Sequence, residues 1–347
     1  MAKTPTIASL KKVTVENLAS LGADRLAGIL ADVASARPEL KRRLRMELAA
    51  EQGSEHLAVV IDRRLSALAT SRSKISWRQR SGFIRDLDAL RALIAGRLAE
   101  LDAPGAEERL WRLLDTAKQL HVRLRDKDGA LAEVLLAAAR DLGGLVARGE
   151  SQAAAERLAE AIVRAPSQWR LWIAAVLEKP SPAFAGAALA GLSGALGVAV
   201  TGRPPFRALA GAGQDPDAFV ATFTASQLKT PAVAAEAAVR LLRADRVDEA
   251  GEILLAGAPA VKRGGPAIDF DWETAWIEFL DRGGRSDEAQ ALRWSSFERT
   301  LSVERARAFI RQLPDFDDVE AETRPFAIAA AHPNRGAGVS FLMAWPA

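Results

Sequence analysis

The chain has 347 residues, of which 49% are hydrophobic and 26% charged, so it can form two lobes with sizeable cores and is too apolar to be disordered. It contains no cysteine, which excludes disulfides, thiolate metal ligands and cysteine nucleophiles. The formal net charge of +3 is near balance and indicates no class of partner by itself. Tyrosine is absent while Ala, Leu, Arg and Glu dominate, and this balance favours helix over strand.

Helix start signals divide the first half of the chain into segments of helical length. Pro38 fits the first position of a helix, and Ser54 begins the next one. Ser76 is the predicted cap of a long amphipathic helix whose apolar stripe runs from Phe83 to Leu101. Because short connections join antiparallel helices, the predicted fold is all-α: stacked antiparallel helical hairpins, as in an α-solenoid or a tetratricopeptide-like array.

Two stretches near the middle of the chain lack this pattern. Residues 183–200 carry no charge over 18 positions, but they are mostly Ala and Gly, so we interpret them as a closely packed buried helix and not as a membrane span. Residues 202–216 are rich in Pro and Gly and lack periodicity, which predicts a linker. The predicted organisation is an N-terminal helical lobe over 1–201, the linker, and a tetratricopeptide-like helical lobe over 217–347.

The second lobe contains an internal repeat. The pattern Arg-x-Asp-Glu-Ala begins at Arg246 and again 39 residues later at Arg285. In each copy an apolar helix ends, a tight turn follows, and a helix begins with acidic residues that suit its N-terminal dipole. These turns resemble those of tetratricopeptide hairpins, although an array normally needs three repeats. A less regular helical bundle is therefore the alternative.

Further motifs extend over nearly the whole chain, at residues 16–26, 40–49, 72–77, 284–294, 297–301 and 313–320. They resemble an uncharacterised family of helical proteins found mainly in proteobacteria, the domain-of-unknown-function family numbered 6880. The resemblance implies a helical fold and brings no known activity, cofactor or site residue. Members of the family continue beyond a Phe-Leu-x-x-Trp-Pro stretch like residues 341–346, so the resemblance also implies that the C-terminal lobe is truncated at Ala347.

No catalytic or cofactor-binding motif occurs in the chain. A glycine-rich phosphate loop, a nucleophile elbow and a pair of zinc-protease histidines are all missing, and the three histidines lie far apart in sequence. The sequence therefore predicts no catalytic residue, no cofactor and no metal site. A protein without enzymatic activity is the favoured interpretation, and an enzyme of unidentified class is the third hypothesis below.

A basic stretch between residues 37 and 97 is the candidate nucleic-acid contact, because it holds 14 Lys and Arg against 7 Asp and Glu. Within it, Arg72, Lys74, Arg78 and Arg80 surround Trp77. Cationic side chains neutralise phosphates and an indole stacks on an unpaired base, so the combination suits sequence-tolerant binding of nucleic acid. A solvated, Arg-rich helix face is the alternative.

Two acidic groups form a candidate partner surface, which consists of Asp269, Asp271, Trp272, Asp315, Asp317 and Asp318. The first group places carboxylates beside an aromatic side chain, as at peptide-binding surfaces, and core packing of the aromatic residue is the alternative. The second group follows a proline and could bind a divalent cation, or could instead stabilise the first turn of a helix.

Three functional hypotheses follow. The leading one is a non-catalytic helical scaffold that binds a protein or peptide partner, because stacked hairpins offer a long concave surface. The alternative is a nucleic-acid-binding protein that uses the basic stretch 37–97, and the third is an enzyme. The first twelve residues lack an apolar run of signal-peptide length, so we expect a cytoplasmic protein with no membrane association. The oligomeric state stays open.

Overall fold

A computed structural model describes residues 13–196, 204–259, 261–262, 265–266, 269–313 and 318–345. The chain divides into two compact units, Met1–Ala195 and Leu196–Ala347. Both consist of helices joined by short turns, and a two-residue antiparallel pair, β1 (Val261–Lys262) with β2 (Gly265–Pro266), lies in the second. The predicted all-α fold of packed helical hairpins is confirmed.

The helices that begin in the first unit are short to medium in length, and a π-helical turn, Ile94–Leu98, lies between α5 and α6. They are α1 (Val15–Ala19), α2 (Ala23–Ala36), α3 (Pro38–Glu51), α4 (Ser54–Thr70), α5 (Trp77–Leu93), α6 (Ala99–Leu101), α7 (Ala103–Asp115), α8 (Ala117–Arg123), α9 (Ala130–Gly149), α10 (Gln152–Arg164), α11 (Pro166–Val176) and α12 (Pro182–Leu196).

The second unit continues the same pattern of helices. They are α13 (Pro204–Ala212), α14 (Pro216–Val220), α15 (Ala225–Leu228), α16 (Pro231–Arg243), α17 (Val247–Ala256), α18 (Phe270–Arg282), α19 (Ser286–Thr300), α20 (Val303–Ile310), α21 (Asp318–Ala331) and α22 (Arg335–Ala344).

The predicted starts of three helices are confirmed. Helix α3 begins at Pro38 and α4 at Ser54, and Ser76 caps α5 in a capping box with Gln79. The long helix expected to run to Leu101 is instead interrupted by the π-helical turn, whose first and last residues are completely buried. The wider turn keeps the apolar stripe on the core as the helix continues.

The core of the first unit forms where α9 packs against α5, α7 and α11, while α3 and α4 pack on each other and reach α5 and α7. Gly143 of α9 allows a close approach to α11, since a Cβ added there would lie 2.2 Å from the carbonyl oxygen of Val176. Leu57, Ile61 and Leu65 of α4 are buried. The opposite side of α4 is therefore free to carry polar side chains.

The expectation of a linker over residues 202–216 has to be corrected. The described part of this segment contains α13 and the first residue of α14. Helix α13 forms because a proline pair fits the first turn of a helix and because Leu209 and Ala210 are buried on one face of it. The preceding helix α12 buries Phe184, Leu189 and Leu192 through one face, and residues 197–200 of the apolar stretch lie outside the description. Within the described residues, no helix combines the length and apolar character that crossing a membrane requires.

The two copies of the sequence repeat form matching turns, one between α16 and α17 and one between α18 and α19. Asp245 and Gly284 occupy equivalent left-handed positions, with φ of 61° and 73°. In each turn the following arginine donates its backbone N–H to the carbonyl oxygen five residues earlier, at 2.9 Å for Arg246 and 2.8 Å for Arg285. This pattern closes the end of a helix, so the sequence repeat is a structural one.

Side chains reinforce both turns in the same way. Arg246 donates from Nε to Glu249 at 2.7 Å, and Arg285 donates from Nε to Glu288 at 2.7 Å. These hydrogen bonds lower the pKa of each glutamate below its usual value. Both pairs lie on the first turn of the second helix, where the carboxylate also faces the positive end of the helix dipole.

Candidate functional site

A cleft of about 650 Å³, called here the basic cleft, lies in the first unit. It is bounded by the start of α3, by α4, by the loop 71–76, by the first half of α5 and by the end of α8. Six of its lining side chains are cationic: Arg42, Arg64, Lys74, Arg78, Arg85 and Arg123. Among its described lining residues, Glu39 is the single carboxylate. The cleft therefore has the charge of an anion-binding site.

Arg123, the last residue of α8, holds the loop 71–76 in place. Its Nε donates to the carbonyl oxygen of Ser73 at 3.0 Å, and its Nη1 donates to that of Leu68 at 3.4 Å. In return, the backbone N–H of Ile75 donates to the carbonyl oxygen of Arg123 at 3.0 Å. These bonds fix one wall of the basic cleft, including Lys74, against α8.

The charge of Arg123 is buried and not neutralised. Only 9% of the residue is exposed, and within the described part of the chain no carboxylate forms an ion pair with it. Burial lowers the pKa of the Arg123 guanidinium, and the positive charge of Arg64 lowers it further. A buried cation usually has an anionic partner, so the basic cleft contains a positive charge that an external anion would stabilise.

Asp86 holds two arginines of the cleft at once. It is 7% exposed, accepts a hydrogen bond of 3.3 Å from Nε of Arg42, and forms an ion pair with Arg64 through its other oxygen. One carboxylate thus orients two guanidinium groups and neutralises only half of their combined charge. The pair remains cationic and well positioned for a second anion.

A second cleft of about 390 Å³ adjoins the first and shares Arg42 and Arg64 with it. It adds Arg45 and Arg63 to the cationic surface, and Asp86 is its carboxylate among the described lining residues. The positive surface therefore continues across α3 and α4 beyond the basic cleft. A ligand with several negative charges along its length matches such a surface.

Two of the five residues predicted to contact nucleic acid line the basic cleft, and Trp77 contacts one of them without being a lining residue itself. Lys74 and Arg78 line the basic cleft, and Trp77 lies between them in sequence with 79% of its surface exposed. The guanidinium carbon of Arg78 is 5.2 Å from the centroid of the Trp77 ring. Arg72 is exposed on the same loop but is not among the residues that line the cleft.

Arg80 has a different role. It forms ion pairs with Asp126 and Asp128, in the loop that precedes α9, and only 21% of its side chain is exposed. On a helix, positions two residues apart point in widely different directions, so Arg80 is turned away from Arg78. Its charge is already neutralised within the protein.

The predicted set also missed part of the cleft. Arg42, Arg64 and Arg85 belong to the basic stretch 37–97 but were not distinguished from its other arginines, and Arg123 lies outside the stretch. The contact of Arg123 with Ser73 spans 50 residues, and no local pattern in the sequence indicates it.

The first acidic group of the candidate partner surface has structural roles in α18. Asp269 is its N-cap and accepts a hydrogen bond of 2.9 Å from the backbone N–H of Trp272, while Asp271 lies in the first turn. The Trp272 ring stacks on Trp276 with centroids 5.2 Å apart, and its Nε1 donates to the carbonyl oxygen of Leu254 at 3.0 Å. The hydrogen bond to Leu254 joins α18 to α17, whereas both stacked rings belong to α18.

The second acidic group is only partly described. Asp315 and Asp317 lie outside the described residues, and Asp318 is the first residue of α21. Within the described part of the chain, no three His, Asp or Glu side chains are grouped as metal ligands would be.

Comparison with known proteins adds one result. No curated protein and no solved structure is significantly similar to this chain. The model of a Family of unknown function (DUF6880) matches residues 8–189 and 202–347, so the matched segments include the basic cleft and both copies of the repeat. The chain belongs to this family of unknown function.

Proposed function

We propose that this chain is a non-catalytic helical protein that binds single-stranded nucleic acid through the basic cleft. The observation that carries the proposal is the six cationic side chains that line the cleft, since Glu39 is the single carboxylate among its described lining residues and Asp86 pairs with only two of the six. Lysines and arginines grouped in this way neutralise successive phosphates of a strand and release its counterions. The adjoining second cleft extends the same charge beyond the reach of a single phosphate.

Trp77 is the reason for proposing a single strand and not a duplex. Its ring is 79% exposed and lies next to Arg78, which lines the cleft. An exposed indole beside phosphate-binding cations supports stacking on a base, and base faces are accessible only where the bases are unpaired. The proposed mode is therefore phosphate contacts in the cleft with one base stacked on Trp77.

A second proposal is a scaffold with tetratricopeptide-like hairpins that binds a protein or peptide. The exposed apolar side chains of α2 support it, because Ile29, Leu30 and Val33 are 43%, 43% and 39% exposed. The matching turns at Asp245 and Gly284 support the repeat character of the second unit. For both proposals we place the protein in the cytoplasm of a bacterium.

Binding of a labelled oligothymidylate of about 16 nucleotides, followed by fluorescence anisotropy over a range of salt concentrations, tests the first proposal. The variant Lys74→Gln with Arg78→Gln removes two cations of the cleft. A matched control, Arg170→Gln with Lys179→Gln, removes one Arg and one Lys that are exposed on the same unit but do not line the cleft.

We expect the cleft variant to bind more weakly and to reduce the salt slope by about 0.7 for each cation removed, because each contacted phosphate releases its counterion. The control variant should bind like the wild type. Undetectable binding by the wild type, or equal losses in the two variants, would refute the proposal. Binding of a protein partner through the exposed apolar side chains of α2, without binding of an oligonucleotide, would favour the second proposal.

A further inference from the structure

We propose that the basic cleft contains a binding site for a terminal phosphate group, called here the seat, which is formed by the guanidinium groups of Arg123 and Arg64. This inference deepens the proposed function and rests on it for the identity of the strand that carries the phosphate. It assigns the contact with Arg123 and Arg64 to one chemical group, a phosphomonoester, whereas the proposed function concerns the whole cationic surface.

Arg123 is a buried cation without an anionic partner among the described residues. The residue lines the cleft, is more than nine-tenths buried, and has no ion pair with a described carboxylate. Its two hydrogen bonds to the carbonyl oxygens of Ser73 and Leu68 hold the guanidinium in a fixed orientation without neutralising it. A group that is preorganised but uncompensated gains strongly from an anion that reaches it.

Arg64 is the second cation of the proposed seat. Arg64 lines the same cleft with 24% of its side chain exposed. After burial, its positive charge is the second cause that lowers the pKa of the Arg123 guanidinium. Asp86 neutralises Arg64 only in part, since it also pairs with Arg42. Two guanidinium groups that repel each other are both stabilised by one anion placed between them.

The shape and charge of the site favour a terminal group over a phosphodiester. A phosphodiester carries one negative charge and is flanked by two sugars, which cannot both follow it to a residue that is 9% exposed. A phosphomonoester has only one substituent and carries about −1.5 to −2 charges near neutral pH. It therefore matches two cations in charge and can approach a largely buried guanidinium end-on, with guanidinium forks suited to its oxygens.

The start of α5 adds to the potential at this site. Arg78 and Gln79 of its first turn line the cleft, so the positive end of the α5 dipole lies beside the same space. Helix α5 is 17 residues long. The helix end alone would not define a site, because Ser76 and Gln79 already cap it. It reinforces the seat that Arg123 and Arg64 form.

Two measurements on the full chain test this inference, with Arg64→Gln as the seat variant and Arg170→Gln as the matched control. Arg170 is exposed on α11 of the same unit and lines neither of the two clefts. The first measurement is the unfolding temperature with inorganic phosphate or chloride at constant ionic strength. We expect phosphate to stabilise the wild type and the control, and to lose this effect in the seat variant.

The second measurement compares the binding of one oligothymidylate with a 5′-phosphate, a 3′-phosphate or free hydroxyl ends. We expect the wild type and the control to prefer a phosphorylated end by about tenfold, and the seat variant to bind all three equally. Equal affinities in the wild type, together with no effect of inorganic phosphate, would overturn the seat even if oligonucleotides bind.

The two proposals fail in distinguishable ways. Salt-dependent oligonucleotide binding with no preference for a phosphorylated end and no stabilisation by inorganic phosphate refutes the seat and leaves the proposed function standing. Stabilisation by inorganic phosphate that depends on Arg64, without binding of any oligonucleotide, supports the seat and refutes nucleic acid as its source. In that case adenosine monophosphate is the next probe, and its binding would identify a small phosphorylated ligand.

Discussion

Arg123 donates a hydrogen bond of 3.0 Å from its Nε to the carbonyl oxygen of Ser73, which joins the end of α8 to a loop 50 residues earlier in the chain. The same guanidinium also reaches Leu68, and the Arg123 carbonyl oxygen accepts from Ile75. One side chain therefore closes the basic cleft and supplies its most buried charge. Arg123 stabilises the fold, and under the proposed function it also binds the ligand, so we expect its substitution to have two separable effects.

Replacing Arg123 with leucine should lower the free energy of unfolding by about 1–3 kcal/mol, because the carbonyl oxygens of Ser73 and Leu68 lose their donor. Arg123→Lys should lose less, since an ammonium can still donate. Urea denaturation measures both changes. Arg125→Leu, at a nearby exposed position, serves as the control and should unfold like the wild type. A similar loss in Arg123→Leu and in the control would contradict this role.

Replacing Asp86 with alanine should change stability and binding in opposite directions. The substitution leaves Arg42 and Arg64 without their shared carboxylate, which should cost about 1–3 kcal/mol of unfolding free energy. It also adds one net positive charge to the cleft, so affinity for an oligonucleotide at low salt should rise. Denaturation and anisotropy on the same sample give both quantities.

Asp88→Ala provides the control for that experiment, because Asp88 is half exposed and pairs with Arg91 away from the cleft lining. It changes net charge by the same amount with little loss of stability. Weaker binding by the Asp86 variant, measured where the protein is fully folded, would show that the cleft does not attract the strand electrostatically.

Replacing Trp77 with alanine should leave stability within about 0.5 kcal/mol of the wild type, since the side chain is 79% exposed. Its effect should appear in oligonucleotide binding, where a lost stacking contact costs about 1–3 kcal/mol. Trp77→Phe should recover part of that loss because a phenyl ring still stacks. Unchanged affinity in the alanine variant would exclude Trp77 from the interface.

The matching turns of the second unit offer a paired test of backbone strain. Gly284 has a φ of 73° with no heavy atom within 4 Å of an added Cβ, so Gly284→Ala should cost about 1–2 kcal/mol from conformation alone. Asp245 has a φ of 61° at the equivalent position, so Asp245→Gly should be neutral or slightly stabilising. Thermal or urea unfolding measures both, and equal effects of the same sign would contradict the equivalence.

Local signals in the sequence predicted much of the fold. Capping and proline positions predicted the helix starts at Pro38, Ser54 and Ser76, because caps act within one turn of the chain. The same reasoning misread residues 202–216, where a proline pair marks the start of α13. Proline is compatible with both a linker and a first helical turn, and burial of Leu209 decided between them.

The candidate site was less predictable, because it depends on contacts between distant segments. Composition indicates the basic stretch around Trp77, but it does not indicate which arginines of the stretch line the cleft. Arg78 lines the cleft, whereas Arg80 is neutralised by Asp128. Arg123 comes from another helix altogether. Which arginine of an Arg-rich chain faces a ligand is decided by tertiary packing, and periodicity along one helix cannot determine it.

The most direct test of the central claim is ultraviolet cross-linking of a single-stranded oligonucleotide to the full chain, followed by mass spectrometry of the cross-linked peptides. Nucleic acid in the basic cleft should cross-link to peptides that contain Trp77 or Phe83, and the yield should fall as salt is raised. Cross-links confined to the second unit, or none at low salt with the protein folded, would contradict binding in the cleft.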